Sequence, residues 1–319
     1  MVIVVASTVR SGYAQWIKRK QMKDSTVKTN SFRAWVLAAR PKTLAGASVP
    51  VMIGLALAWN RLGGAGFSFV PAVLCMLFAF IMQIDANFVN DYFDFVGGKD
   101  DEQRLGPPRA CAQGWIEVVR MKTGIVIATA AACAVGMPLV LYGGWQMLLI
   151  GALCVVFCFL YTTFMASHGL GDLLVLVFFG IVPVCATYYL QTQTCTWLVL
   201  WASVACGLVV DTLLVVNNYR DIDNDRRTGK ATLIVRIGGR LGRYLYLMLG
   251  VAAFLMGIAF GTEGMPAAFM LPCIYVILHV RAYRKMVRIG KGRDLNLVLA
   301  DTACNMFVYG LTVALGLIL

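Results

Sequence analysis

Nine long apolar runs dominate this sequence, at about residues 43–60, 67–89, 123–142, 144–163, 171–190, 196–216, 241–261, 264–280 and 301–319. Each approaches the ~20 residues that an α-helix needs to cross the hydrocarbon core of a bilayer. The constraint is severe, because lipid offers no water to satisfy backbone N–H and C=O groups. Helices satisfy those groups internally. A barrel would need strands of alternating polarity, and these runs do not alternate. The chain is 60% hydrophobic and only 14% charged over 319 residues, too apolar for a soluble domain of this size. The expected fold is an all-α integral membrane protein, a bundle of nine transmembrane helices around a central cavity. The division expected is a basic tail over residues 1–32 and a transmembrane domain over 33–319.

The net charge of +12 would suggest a nucleic-acid partner in a soluble protein. Its placement argues for the lipid bilayer instead, and no nucleic-acid partner is expected. With the N-terminus inside, the inner segments are 1–42, 94–122, 164–170, 217–240 and 281–300. Together with Arg243 they hold 27 of the 28 Lys and Arg residues, leaving only Arg61 outside. This is the positive-inside pattern of a cell (inner) membrane protein with a cytoplasmic N-terminus. Residues 13–42 are basic enough to lie along an anionic leaflet. The apolar start, Met1 to Val9, is too short for a signal peptide and lacks a preceding basic region. The ten cysteines are scattered, without zinc-ribbon or redox spacing.

Two polar segments break the apolar pattern and nearly repeat each other. Asn90-Asp91-Tyr92-Phe93-Asp94 closes the second run, and Asn217-Asn218-Tyr219-Arg220-Asp221 closes the sixth. Ionisable groups at such positions are costly and mark function. Asn87, Asn90, Asp91 and Asp94 are spaced to share one helix face. Beyond them a Gly/Pro-rich loop carries Arg104 and Arg109. In the second segment Asp221 and Asp225 are spaced to share a face with Asn217 and Asn218, ahead of Gly229-Lys230, while Asp223 points to solvent. The motifs lie four spans apart and so have the same orientation, as in a parallel pseudo-repeat facing a common cavity.

Carboxylates of this kind suit Mg2+, which prefers oxygen ligands and usually takes one or two carboxylates plus phosphate oxygens from a substrate. Bound cations would relieve the repulsion between neighbouring aspartates. Arg and Lys would neutralise the remaining phosphate charge. A lipid diphosphate fits both halves of the pattern, its head on the polar clusters and its tail among apolar helices.

Three blocks resemble the UbiA superfamily of intramembrane prenyltransferases, and within it the 1,4-dihydroxy-2-naphthoate polyprenyltransferase (MenA) branch of menaquinone biosynthesis. They are Arg40-Pro41-Lys42-Thr43-Leu44, the stretch from Asn87 to Ala110, and Asn217 through Gly229-Lys230-x-Thr232-Leu233-x-Val235-Arg236-x-Gly238. Gly169-Leu170-Gly171-Asp172 and Val177 to Gly180 add to the match. The resemblance implies Mg2+-dependent transfer of a polyprenyl chain from polyprenyl diphosphate to 1,4-dihydroxy-2-naphthoate. Diphosphate and carbon dioxide leave and demethylmenaquinone forms. It implies Asn90, Asp94, Asp221 and Asp225 as the metal–diphosphate set, with Asp91 as a further metal residue, Asn87 as a substrate contact and Asp100 at a later acidic position. It implies Arg104, Arg109 and Lys230 as diphosphate partners, and Asn217 and Asn218 as further substrate contacts.

Tyr92, Tyr161 and Tyr219 are candidates to face an allylic cation. The segment Tyr161 to Asp172 departs from the family's longer, Gly-Pro-containing form. Asp172 either orients the acceptor or caps a helix, and His168 is either an acceptor-side base or a loop residue. Asp85 and Asp211 are expected in an inner polar shell, and Asp301 at a helix start. Rival readings are a related enzyme using 4-hydroxybenzoate, homogentisate or a haem, and a transporter. The absence of a polar path through the outer half of the spans argues against transport.

Overall fold

The computed structural model describes residues 27–98 and 104–319. Most of the expected tail, and Asp100, therefore lie outside the described residues. Among those described, every regular element is helical. Nine helical segments among the described residues are long and apolar enough to cross a membrane. Spans one to five are Phe32–Gly66, Phe69–Val96, Val118–Gly143, Gln146–Thr163 and Gly171–Thr192. Spans six to nine are Trp197–Arg220, Leu233–Thr262, Pro266–Ile289 and Leu295–Ile318.

Several helices outrun the apolar stretches that announce them. Span seven starts at Leu233 and span nine at Leu295, and span eight runs on to Ile289. Their extra turns carry Arg236, Arg240, Arg281, Arg284 and Arg288, which hydropathy cannot assign to a helix. Asp301 accordingly lies inside span nine rather than at its start, and its carboxylate pairs with Lys285 at 2.8 Å.

Helix starts follow capping chemistry. Ser31, Thr196 and Thr232 each accept a hydrogen bond from the backbone N–H three residues on, which satisfies a donor the helix leaves free. Span one is broken near its beginning. Pro41 disfavours the right-handed helical conformation at the residue before it, and Arg40 adopts φ 52°, ψ 68°. The side-chain amide of Asn87 donates to the Ala39 carbonyl and to the Thr43 hydroxyl, both at 2.9 Å, and so bridges the break from span two.

Span six is the axis of the bundle. It is buried along most of its length and shares a core with spans one, five and nine through Val49, Ile53, Val184, Val209, Tyr309 and Val313. The crossing of spans five and six depends on small residues, as is usual between helices in lipid. A Cβ on Gly180 would lie 2.6 Å from Gly207 Cα and 2.7 Å from the Ser203 carbonyl oxygen. A second core packs the loop after span two onto spans two and three through Phe88, Phe95, Cys111, Ile116 and Met121.

The obstacles at Gly180 are backbone atoms, which cannot swing aside. Gly180→Ala should therefore cost about 1–3 kcal/mol of overpacking. Gly151→Ala, where an added Cβ meets nothing within 4 Å, should be neutral or slightly stabilising. Thermal unfolding of both variants in detergent checks the contrast.

Candidate active site

The charged end of the bundle is assembled by two helix ends and the loops that follow them. Span two delivers Asn87, Asn90, Asp91 and Asp94, and Asn87, Asp91 and Asp94 are buried. Asn87 is spent on the break in span one, as described above. Asp91 accepts hydrogen bonds from the Ala110 and Cys111 backbone N–H groups, both at 2.8 Å, with the Arg40 guanidinium 3.8 Å away. Both its oxygens are engaged by the loop, so its geometry favours holding that loop over the metal-ligand role expected from sequence.

Anchoring that loop sets Arg109. Its guanidinium donates to Asp94 at 3.1 Å, in a pair whose side chains are each 8% exposed. The Lys230 ammonium approaches the other Asp94 oxygen at 3.9 Å. Lys230 follows the second polar segment and Asp94 ends the first, so this contact joins the two clusters. Asn90 accepts a hydrogen bond from the Thr162 hydroxyl at 2.6 Å, which ties the end of span four to the same place.

The second cluster does not form one helix face. Span six stops at Arg220, Asp221 forms the junction, and a short helix runs from Ile222 to Arg227. Asp221 is gripped by Arg220 through two hydrogen bonds, at 2.9 and 2.6 Å. Arg220 is 3% exposed and also donates to Asn217 and Asn296, each at 2.8 Å. Asn218 is buried beside them. Asp223 is exposed, facing Lys291 at 3.4 Å. Asp225 turns inward and is buried. Burial, first of all, pushes its carboxyl up to about 6; Lys230 and Arg220 oppose the rise, while Asp221 and Asp94 add to it. Carboxylates from both motifs therefore crowd one another.

Of the three tyrosines considered, Tyr161 stands nearest in the chain to a cluster contact, next to Thr162 at the end of span four, with its ring near Gly171. Tyr92 instead borders a groove of about 430 Å3 with Phe93, Lys122, Thr129 and Phe159, a groove that none of the motif's Asn or Asp side chains lines. Tyr219 donates its hydroxyl to the Gly290 carbonyl at 2.7 Å. His168 is exposed and bonds the Phe164 carbonyl through Nδ1 at 2.7 Å, as a loop residue would. Arg104 donates to the Pro107 carbonyl within its own loop at 3.3 Å. Asp85 leaves the expected inner shell and accepts from Thr129 of span three at 2.7 Å. Thr162 and Asn296 escaped the sequence reading, because neither belongs to a motif and each acts through a partner more than 70 positions away.

This donor set suits Mg2+. Among the described residues no three His, Cys, Asp or Glu side chains gather closely enough to hold a metal by themselves. Mg2+ bound through one or two carboxylates and phosphate oxygens needs no such cage. The crowded carboxylates of Asp94, Asp221 and Asp225 are what a cation would relieve.

Comparison with known proteins gives a consistent result. The profile of the UbiA prenyltransferase family matches residues 47–311. A 1,4-dihydroxy-2-naphthoate octaprenyltransferase of Mycobacterium tuberculosis is 36% identical over 295 residues, 89% of this chain and 96% of that protein. A protein of the same name from Haemophilus influenzae is 36% identical over 242 residues, 73% of this chain and 78% of that one. Among solved structures, a UbiA homolog from Archaeoglobus fulgidus bound to DMAPP and Mg2+ superposes with a TM-score of 0.57 at 14% identity, covering 88% of this chain and 98% of its own.

Asp91 generates the prediction here. Replacing it by Ala strands two buried N–H groups and should loosen the loop by about 2 kcal/mol or more. Trypsin should then cut at Arg104 and Arg109 roughly tenfold faster or more, since cleavage follows the open population. Asp91→Asn, which keeps one acceptor oxygen, should fall between. Limited proteolysis in detergent micelles measures this.

Proposed function

The chain belongs to the UbiA prenyltransferase family, and on that premise we propose that it transfers a polyprenyl chain from polyprenyl diphosphate to 1,4-dihydroxy-2-naphthoate. Diphosphate and carbon dioxide leave, and the product forms at the quinol level, the reduced form of demethylmenaquinone. The acceptor assignment follows the names of relatives that are 36% identical over most of their length. The observation that carries the clamp is the approach of Lys230 to Asp94, which unites the two motifs.

In this reading Arg109 and Lys230 bind the diphosphate, Arg109 as a planar fork and Lys230 as a point charge. Both now rest on Asp94, so an arriving diphosphate would draw on cations already in place. Asn90, Asp94, Asp221 and Asp225 would hold Mg2+. When bound, Mg2+ would stabilise negative charge as it develops on the departing diphosphate oxygen. Arg220 orients Asp221 by gripping both its oxygens, and Thr162 orients Asn90. Apolar helix faces exclude water, which would otherwise capture an allylic cation. The Lys and Arg distribution supports a cytoplasmic position for the clamp and the N-terminus at the cell membrane.

Asp94→Ala or Asp221→Ala should lower Mg2+-dependent turnover by about 10²–10³-fold or more, with the protein still folded in detergent. Chelation of divalent cations should abolish turnover in the unaltered chain, and added Mg2+ should restore it. Lys230→Ala should mainly raise the KM for prenyl diphosphate, about 10–100-fold. Mass spectrometry of products from a panel of acceptors tests the assignment. Product from 4-hydroxybenzoate alone would overturn the naphthoate reading.

A further inference from the structure

Span eight carries three positive charges that neither the clamp nor the bundle's own pairing uses. Its inward face is Tyr275, His279, Ala282 and Met286, all buried. The opposite stripe is exposed and changes character along its length. Ile274 and Ile277 are 50% and 55% exposed, and Arg281, Arg284 and Arg288 continue the line at helical spacing, each of them exposed. Among the described residues no carboxylate lies within ion-pair distance of any of these three arginines. Asp301 of span nine, an acid at this level of the bundle, is taken by Lys285 at 2.8 Å.

The depth of the arginines makes the stripe unusual. Span eight has 24 residues, about 36 Å of helix, against a hydrocarbon core of about 30 Å. Counted from Pro266 at the far end, that core is crossed by about Met286. Arg281 and Arg284 therefore leave the helix inside the hydrocarbon, and Arg288 stands just past it. The segment accordingly has the lowest mean hydropathy of the nine described spans, 1.3. An intramembrane arginine ordinarily faces the bundle interior and pairs there. These three face outward, so their guanidinium groups must run along the helix to the headgroup layer at the clamp end. A charge bias between loops explains cations in a loop. It does not explain three cations on one lipid-facing line with an apolar track leading to them.

We propose that this stripe binds an anionic phospholipid, an acyl chain lying along Ile274 and Ile277 and the headgroup phosphate meeting Arg281, Arg284 and Arg288. Guanidinium is weakly hydrated and grips phosphate oxygens bidentately, so it suits a partly dry site better than an ammonium does. Three unmatched positive charges favour a lipid of net negative charge over a zwitterionic one, whose own ammonium they repel. The apolar half of the stripe offers nothing to a free phosphate. A second copy of this chain does not fit, because a two-fold axis along the membrane normal would set arginines against arginines. The site stands outside the clamp, and its test needs no prenyl substrate.

Native mass spectrometry of the full-length protein in detergent, titrated with phosphatidylglycerol or phosphatidylcholine, tests this. Phosphatidylglycerol should bind at least about fivefold more tightly than phosphatidylcholine. Arg281→Gln, Arg284→Gln and Arg288→Gln keep polarity and remove charge. Each should raise the Kd for phosphatidylglycerol about fivefold, the contribution of one basic residue beside an anionic leaflet. The triple variant should raise it about twentyfold or more and leave phosphatidylcholine binding unchanged. Arg120→Gln removes an exposed arginine of span three that is paired with Glu117 at 3.4 Å, and should change neither. Equal binding of the two lipids would overturn the proposal, as would a triple variant within about twofold of the unaltered chain. An Arg120→Gln loss equal to that of the triple variant would also overturn it, by reducing the effect to net charge. Glycerol 3-phosphate, the headgroup chemistry without chains, should displace the lipid only at about hundredfold higher concentration. Displacement at equal concentration would make this a site for free anions and defeat the lipid assignment. If the triple variant does not fold, the three single variants decide.

Discussion

Charge held in an apolar bundle governs this structure. Asp94, Arg109, Arg220 and Asp225 are all buried, and an unpaired charge in such surroundings costs several kcal/mol even after relaxation. Asp94, Arg109 and Arg220 each have an opposite charge beside them, from partners that range from the adjacent residue to the far polar motif. Arg109 reaches Asp94 from a loop, Lys230 reaches it from beyond span six, and Arg220 holds Asp221 across the end of its own helix. These pairs decide where the loops lie. The loop after span two cannot wander while Asp91 holds two of its N–H groups and Asp94 holds its arginine.

The same pairing explains why the site is poised rather than inert. Buried pairs contribute little net stability, since desolvation offsets attraction. Their value lies in keeping cations and carboxylates in register without solvent. In the absence of substrate, Arg109 and Lys230 neutralise Asp94. In the proposed reading, a diphosphate with Mg2+ would offer both signs of charge at once, and the cations would transfer to phosphate while the metal takes the carboxylates.

The sequence made the fold legible because its main determinant, apolar length, is local. All nine spans appear in the structure, and the two polar motifs meet. What escaped has a physical reason in each case. Helix ends rich in Arg, such as Leu233 to Arg243, remain helical because capping by Thr232 and packing by Ile234 favour it, and hydropathy sees only their charge. The even spacing of Asn217, Asp221 and Asp225 suggests one face, yet span six ends at Arg220 and a short helix starts at Ile222, with Asp221 at ψ 6° between them. Tyr92 and Tyr219 share motif positions but face a lateral groove and the Gly290 carbonyl, and only burial and partners separate them from Tyr161. Asp85 and Asp211 read alike in sequence. The structure gives Asp85 a threonine partner across the packing of spans two and three, while one buried oxygen of Asp211 has none.

The crossing of spans five and six shows how the bundle holds such a motif in place. Gly180 lets the two spans approach until their backbones nearly touch. Between helices in lipid, close contact of this kind replaces the hydrophobic effect as the source of association. A residue larger than glycine at position 180 would drive the spans apart, and span six, which carries the second polar motif at its end, would lose its register against the rest of the bundle.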